Sequence, residues 1–259
     1  MINSSLPPGF AMPSAEARPL HVFDKAGFAA WIGSQPAAVR AWLESQQFDA
    51  AAGSHALLPG EDGVAAAILG IGDPLDAYAY AHGAGALLAG DWAPANTLEP
   101  AHLSALQLGW GLGAYRFTRY KAGGRAPARL AVDALDDEAR DVLAACARVR
   151  DLVNTPTEDM GPEQLEAVAR EVAQAHGATF ESIVGDDLLA RNFPAIHAVG
   201  RASHRAPRLL KLQWGGDTEE SRAHPHVVLV GKGVCFDTGG LDIKPADGMR
   251  NMKKDMGGA

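Results

Sequence analysis

The fold class this sequence predicts is α/β in two consecutive units, and three observations predict it. Strand-like runs alternate with helical periodicities along the chain instead of segregating into blocks, the pattern of sheets covered by helices. His226–Val230 is a nearly continuous apolar run, as expected of a strand buried on both faces of a parallel sheet. The chain has 259 residues, 47% hydrophobic and 21% charged, enough for one large or two modest cores and unlike a disordered or fibrous chain.

The elements follow in order. Residues 1–18 begin rich in Pro, Ser and Gly and read as a loose tail. Apolar residues recur at helical spacing in Asp24–Ile32 (Phe28, Trp31, Ile32) and in Pro36–Gln47 (Val39, Trp42, Leu43). His55–Leu58 and Val64–Ile71 flank Pro59-Gly60-Glu61-Asp62-Gly63, whose turn chemistry predicts a hairpin. Asp73-Pro74 opens a helix to about Leu88, a second helix covers Pro100–Leu112, and Arg129–Val132 is a short strand. Together these make a first α/β domain over residues 19–135.

Asp136 or Asp137 caps the next helix, with Val142, Cys146, Val149 and Val153 on one face. Pro156 ends it, because a residue before proline is pushed out of the helical region. Pro162 suits the first turn of a further helix with Leu165, Val168, Ala169 and Val172 on one stripe, and Gly177 stops it. Thr179–Val184, Ala195–Val199, Leu209–Gln213 and His226–Val230 then read as strands of a second, largely parallel unit over 136–259.

Charge and composition narrow the function classes. Lys and Arg number 23 against 31 Asp and Glu, a net charge of −8, so the chain lacks the overall footprint of a dedicated phosphate-backbone binder. The two cysteines, Cys146 and Cys235, form no CxxC pair, which fits a reducing compartment. No cationic segment precedes a long apolar core at the N-terminus, and the Val64–Ile71 run is too short to span a bilayer; the expected location is cytoplasmic.

Several motif searches end in structural readings. Gly231-Lys232 is followed by Gly233 where a phosphate loop has Ser or Thr, and its first glycine is replaced by His226. Gly109, Gly111 and Gly113 lie inside or at the end of a helical pattern and are read as a packing or capping feature, not a dinucleotide loop. His224 and His226, beside Pro225, are read as loop histidines.

The C-terminal stretch carries more chemistry. A buried strand feeds a glycine-rich loop with Lys232, Asp237, Asp242, Lys244, Asp247 and Asp255 in close succession. Ligand sites in α/β sheets form beyond the carboxyl ends of strands, and charges placed there must be paired or must hold metal. On these grounds alone, a Lys–Asp ion-pair network and a metal centre stand evenly. Asp242 and Asp247 are read as loop residues, and Lys253 and Lys254 as surface charges or pairing partners. Cys235 is read as a small buried filler.

Three blocks here, Gly231–Gly240 (GKGVCFDTGG), Ile243–Pro245 (IKP) and Met252–Ala259 (MKKDMGGA), resemble those of the cytosolic leucyl aminopeptidases, the M17 dinuclear metallopeptidases. Val153–Pro162 is similar to that family's interdomain helix, weaker similarity covers Phe193–Gly200, and Gly109–Tyr120 is the most family-like part of the first domain. The resemblance implies a macro-like first domain followed by the first half of a zinc-peptidase-type catalytic domain. It implies that Lys232, Asp237 and Asp255 bind metal, Asp237 bridging two divalent ions, manganese or zinc, and Lys232 as a neutral amine. It further implies that Lys244 stabilises the oxyanion of the tetrahedral intermediate as the catalytic residue, and that Lys232, Asp237, Lys244 and Met252 line the substrate site. The implied substrates are peptides with a free N-terminus, and the implied assembly is a homo-hexamer; apart from the resemblance, no membrane partner is expected, and the net charge of −8 speaks against a nucleic-acid partner. The family's later Asn-Thr-Asp-Ala-Glu-Gly-Arg segment, with further metal ligands, does not occur here. The expectation is therefore a truncated chain, inactive alone and weak in metal binding. The rival reading is a non-catalytic α/β binding or assembly module with a nucleotide- or ADP-ribose-like fold.

Overall fold

Alternation along Arg18–Phe23 sends Leu20 and Val22 inward, where 0% and 3% of their surface stays exposed. That strand is central to the first of two compact units, Met1–Ala147 and Arg148–Ala259, of a computed structural model that describes residues 6–216 and 218–259.

The first unit runs β1 (Phe10–Ala11), β2 (Arg18–Phe23), α1 (Lys25–Ile32), α2 (Ala37–Ser45), β3 (His55–Gly60), β4 (Gly63–Gly70), a 3-10 turn at Ala77–Tyr80 and α3 (Ala81–Ala86). It continues through β5 (Asp91–Pro94), α4 (Pro100–Ala114) and β6 (Arg129–Ala131) into α5 (Asp137–Asn154), which runs past the unit's last residue. The six strands lie in the order β1-β6-β5-β2-β4-β3, all parallel neighbours except the β3–β4 hairpin. β4 shows why the sheet is covered on both faces: Ala67 and Leu69 join the cluster of Trp92, Trp110 and Tyr80, while Ala66 and Ile68 join that of Phe28 and Leu43. Of the packing and capping roles that the sequence leaves open, Gly109 and Gly113 take the packing one. A Cβ on Gly109 or Gly113 would sit 1.9 Å from the carbonyl oxygen of Ala77 or Ala81, so α4 lies directly against the preceding turn and α3.

Two local expectations change in this unit. Part of the expected tail is a strand, with Phe10 only 5% exposed and β1 paired to β6. The expected helix from Asp73 to Leu88 breaks into the 3-10 turn and α3. Asp73 and Asp76 accept hydrogen bonds from the Leu75 and Tyr78 N–H groups, offering the backbone a local alternative to a regular helix.

Asp136 caps α5 through a 2.9 Å bond from the Ala139 N–H. The buried face of α5 holds Ala139 and Leu143, whereas Val142 and Val149 of the expected stripe are exposed. In the second unit follow α6 (Pro162–Ala175), β7 (Thr179–Val184), α7 (Asp187–Ala190), α8 (Pro194–Gly200), β8 (Arg208–Gln213), α9 (Glu219–Arg222), α10 (Ala246–Met249) and a 3-10 turn at Met252–Gly257. β7 and β8 pair antiparallel, and Glu166 of α6 ties to this sheet by accepting hydrogen bonds from Arg208 and Ser182.

Two expected strands are not formed here. Ala195–Val199 lies within α8, where Pro194 at the first helical position presets the backbone. The expected strand His226–Val230 joins no strand pair, and its residues 227–230 are 79–92% exposed. An interior strand needs a hydrogen-bonding partner along each edge and a layer packed on each face, and the described sheet of this unit is the two-stranded β7–β8 pair, which does not include this segment.

Candidate functional site

The sequence around the site folds by short-range rules. Asp237 accepts the Gly239 N–H at 2.9 Å, an Asx turn, and Gly239 and Gly240 follow with φ of +102° and +89°, values that a residue with a Cβ rarely adopts. The Lys244 N–H returns to the Thr238 carbonyl at 2.9 Å, closing the loop. Pro245 then precedes α10, and the chain arrives at the Met252–Gly257 turn.

That turn is fixed by one buried side chain. Met256 is 1% exposed and packs with Met160 and Leu165, against Leu152, Val153 and Leu210. Lys253 donates to the Val153 carbonyl at 2.8 Å, occupying an acceptor in the last turn of α5. An isolated antiparallel bridge joins Lys232 to Gly258. Gly231 lies so close to Gly258 that an added Cβ would sit 2.4 Å from its carbonyl oxygen.

These constraints bring the five residues singled out from the sequence to one place. The Lys232 Nζ donates to Asp237 Oδ2 at 2.9 Å and to Asp255 Oδ2 at 2.5 Å. Lys244 Nζ lies 3.1 Å from the Asp237 carbonyl oxygen and 3.1 Å from Met252 Sδ, with Asp237 Oδ1 at 3.3 Å. Asp237 is thus the hub between two cations. Hydrogen bonds from Lys232, the Gly239 N–H and Lys244 hold its carboxyl well below the usual carboxylate range. The bonds to Asp255 and Asp237 raise Lys232 above the ordinary lysine value, so here it is an ammonium.

The donor set can be tested against a metal. Two carboxylates converge on a single cation, which is the charge arrangement that a divalent ion would satisfy more strongly. The amine can join as a ligand only after losing its proton. One amine and two carboxylates fit one side of a divalent-ion site but are short of the four ligands usual for a closed shell. No group of three or more His, Cys, Asp or Glu with metal-binding geometry occurs among the described residues.

Asp242 and Asp247 stay outside the cluster, Asp247 lying 3.7 Å from Arg250. Burial pushes the Cys235 thiol up, which suits a filler and not a nucleophile. The sequence reading missed Met256, Gly258 and Arg205. Arg205 holds the Thr157 and Glu158 carbonyls at 2.7 and 2.6 Å and so fixes the loop that leads to Met160. The signal for Met256 was its place beside Asp255 in the MKKDMGGA block; Arg205 left no signal.

Comparison with known proteins gives one pattern along the chain. Residues 18–133 match the family described as "M17 aminopeptidase, N-terminal domain", and residues 147–259 match "Cytosol aminopeptidase family, catalytic domain". A probable cytosol aminopeptidase of Rhodococcus opacus is 38% identical over 218 residues, which are 76% of this chain and 43% of that protein. One of Corynebacterium efficiens is 34% identical over 249 residues, 89% of this chain and 49% of that protein. The chain therefore spans about half the length of the curated relatives it matches. Among solved structures, the cytosol aminopeptidase of Coxiella burnetii aligns with a TM-score of 0.83 at 34% identity, over 95% of this chain and 53% of that one. The bottromycin maturation enzyme BotP in complex with Mn aligns at 0.65 and 27% identity, over 94% of this chain and 54% of that one.

Proposed function

The chain belongs to the M17 cytosol aminopeptidase family, and from that premise we propose that Lys232, Asp237, Lys244, Met252 and Asp255 are its contribution to a metal-dependent aminopeptidase site. The observation that carries this reading is their convergence around Asp237, which both Lys232 and Lys244 reach, with Asp255 held by Lys232 and Met252 by Lys244.

In this reading Lys232, Asp237 and Asp255 hold divalent metal, with manganese favoured by the relative whose structure is a complex with Mn. When bound, divalent ions lower the pKa of a coordinated water and polarise a peptide carbonyl. The chain's own residues do the rest. Asp237 and Asp255 accept from the free amine of a peptide's N-terminus. Lys244 is aimed by the Asp237 carbonyl and the Met252 thioether, with the Asp237 carboxylate 3.3 Å away as a charge partner shared with Lys232, and it stabilises the negative charge that develops on the scissile carbonyl oxygen. Met252, in contact with Lys244, borders the place of the substrate's first side chain. Supporting a cytoplasmic setting are the relatives' description as cytosol aminopeptidases; six-fold assembly belongs to the same reading.

Three donors do not complete two ions, so the 259-residue chain by itself is proposed to lack appreciable turnover. The test joins residues 1–259 to the remaining C-terminal part of the Coxiella burnetii enzyme. The fusion should hydrolyse leucine p-nitroanilide in the presence of Mn2+, and Lys244→Met should lower its kcat by about 10²–10³, the usual cost of removing an oxyanion donor. A fusion that folds and binds Mn2+ yet releases no leucine would refute the reading. Chelator-sensitive turnover by the unfused chain would refute its inactivity. Calorimetry with ADP-ribose separates the binding-module alternative, which requires a heat of binding where the aminopeptidase reading expects none.

A further inference from the structure

The net charge of −8 averages over one segment of opposite sign. Residues 100–132 contain five basic side chains, Arg116, Arg119, Lys121, Arg125 and Arg129, and no Asp or Glu. Arg129 is neutralised by Asp91 at 2.7 Å. The other four lie on the exposed loop between α4 and β6, and none of them pairs with a carboxylate among the described residues.

Their contacts leave the charge in place. Arg116 donates to the Gly113 and Tyr115 carbonyls, and Arg125 donates to the Gly85 carbonyl; backbone oxygens orient a guanidinium without cancelling it. The two converge, since the position of a Cβ on Gly85 is 3.7 Å from Arg116 Nη2. Arg119 lies over the Tyr120 ring at 5.4 Å, and Phe117 packs 5.9 Å from the same ring. Tyr120 itself is 51% exposed. Cations thus alternate with aromatic faces along Tyr115-Arg116-Phe117-Thr118-Arg119-Tyr120-Lys121.

We propose that this loop, residues 115–127, binds single-stranded nucleic acid. Phosphates meet the four uncompensated cations, and unpaired bases stack on the aromatic faces between them, the combination used by single-strand binders without sequence preference. A membrane surface fits less well: residues 116–126 contain no Leu, Ile, Val, Met or Trp to enter the acyl boundary. An acidic peptide would use the cations but leave the rings idle. The loop belongs to the first unit, and the proposal is independent of the aminopeptidase reading.

The test is fluorescence anisotropy of a labelled 20-nucleotide oligothymidylate with the full 259-residue chain, run beside a 20-residue polyglutamate and phosphatidylserine vesicles. Four phosphate contacts at about −0.7 each predict a log–log salt slope of about −3, or a loss of affinity of about 50-fold between 50 and 200 mM NaCl. The double variant Arg119→Glu, Lys121→Glu touches neither carbonyl-holding arginine, so thermal melting should be unchanged. Its affinity should fall more than about tenfold and its salt slope should flatten by about 1.4. Tyr120→Ser should weaken binding about five-fold or more, as loss of one stacked base does. The proposal is overturned if the oligonucleotide does not bind at 50 mM NaCl or if the double variant binds as wild type. It is equally overturned if polyglutamate or the vesicles bind as tightly as the oligonucleotide.

Discussion

Shortening Met256 to Ala tests whether packing beneath the site holds Asp255 in place. Met256 is 1% exposed and its buried neighbours are few, Met160 at 6% and Leu165 at 9%, with Leu152, Val153 and Leu210 only partly buried around them. Met→Ala in a core costs about 2–5 kcal/mol, and a small cluster open at its rim can close partly around the gap, so the lower end applies, about 2–3 kcal/mol. At about 1.4 kcal/mol per tenfold change, amides governed by opening of this cluster should exchange about 30- to 150-fold faster. Met256→Leu conserves volume and should cost less than about 1.5 kcal/mol. The assay is hydrogen–deuterium exchange read by mass spectrometry on peptides covering 160–165 and 252–257, with peptides of the first unit as internal reference. Equal protection in Met256→Ala and wild type would refute the reasoning, as would equal effects of Ala and Leu.

Three further perturbations probe the scaffold. Asn96 accepts from the Val22 N–H at 2.8 Å and donates to the Val22 carbonyl at 3.0 Å, continuing the ladder past the end of β5. Asn96→Ala should therefore cost the first unit about 1–3 kcal/mol in urea denaturation, the penalty of orphaned buried backbone groups. Gly109→Ala drives a Cβ to 1.9 Å from the Ala77 carbonyl oxygen, and thermal melting should show an overpacking cost of about 1–3 kcal/mol or more. Glu166 joins α6 to the second sheet: burial pushes its carboxyl up, but hydrogen bonds from Arg208, Arg170 and Ser182 outweigh this and hold it below the ordinary value of 4.5. Because the folded value lies below the unfolded one, this stabilisation is present in full above about pH 4.5 and is lost as pH falls through the folded value. Urea denaturation between pH 7 and pH 3 should show that loss in wild type and a smaller one in Glu166→Gln.

Local signals made most of the fold readable from residues. Apolar spacing placed α1, and turn and capping chemistry placed the β3–β4 hairpin, α5 and α6, within a few residues of their observed ends, because Gly60–Gly63, Asp136 and Pro162 act on their immediate neighbours. The central strand β2 escaped notice because Arg18, Pro19 and His21 interrupt its apolar pattern, and its identity depends on β4 and β5, which are distant in sequence. Ala195–Val199 and Val227–Val230 failed in the opposite way: β-branched composition signals compatibility with a sheet, but a strand also needs neighbours to pair with. The candidate site was legible as spelling in three blocks. What the spelling could not give was the physical link among them, the Met256 anchor and the Gly231–Gly258 approach that bring Lys232 against Asp255.

The central claim is that Lys232, Asp237 and Asp255 act as one metal-binding group. Titration of the 259-residue chain with Mn2+, followed by electron paramagnetic resonance of the free ion, tests it most directly. The account predicts weak binding by wild type, reduced at least about tenfold in Asp237→Asn, or about 1.4 kcal/mol, and unchanged in Asp247→Asn, which lies outside the cluster. Equal Mn2+ binding by Asp237→Asn and wild type, or none by wild type, would contradict it.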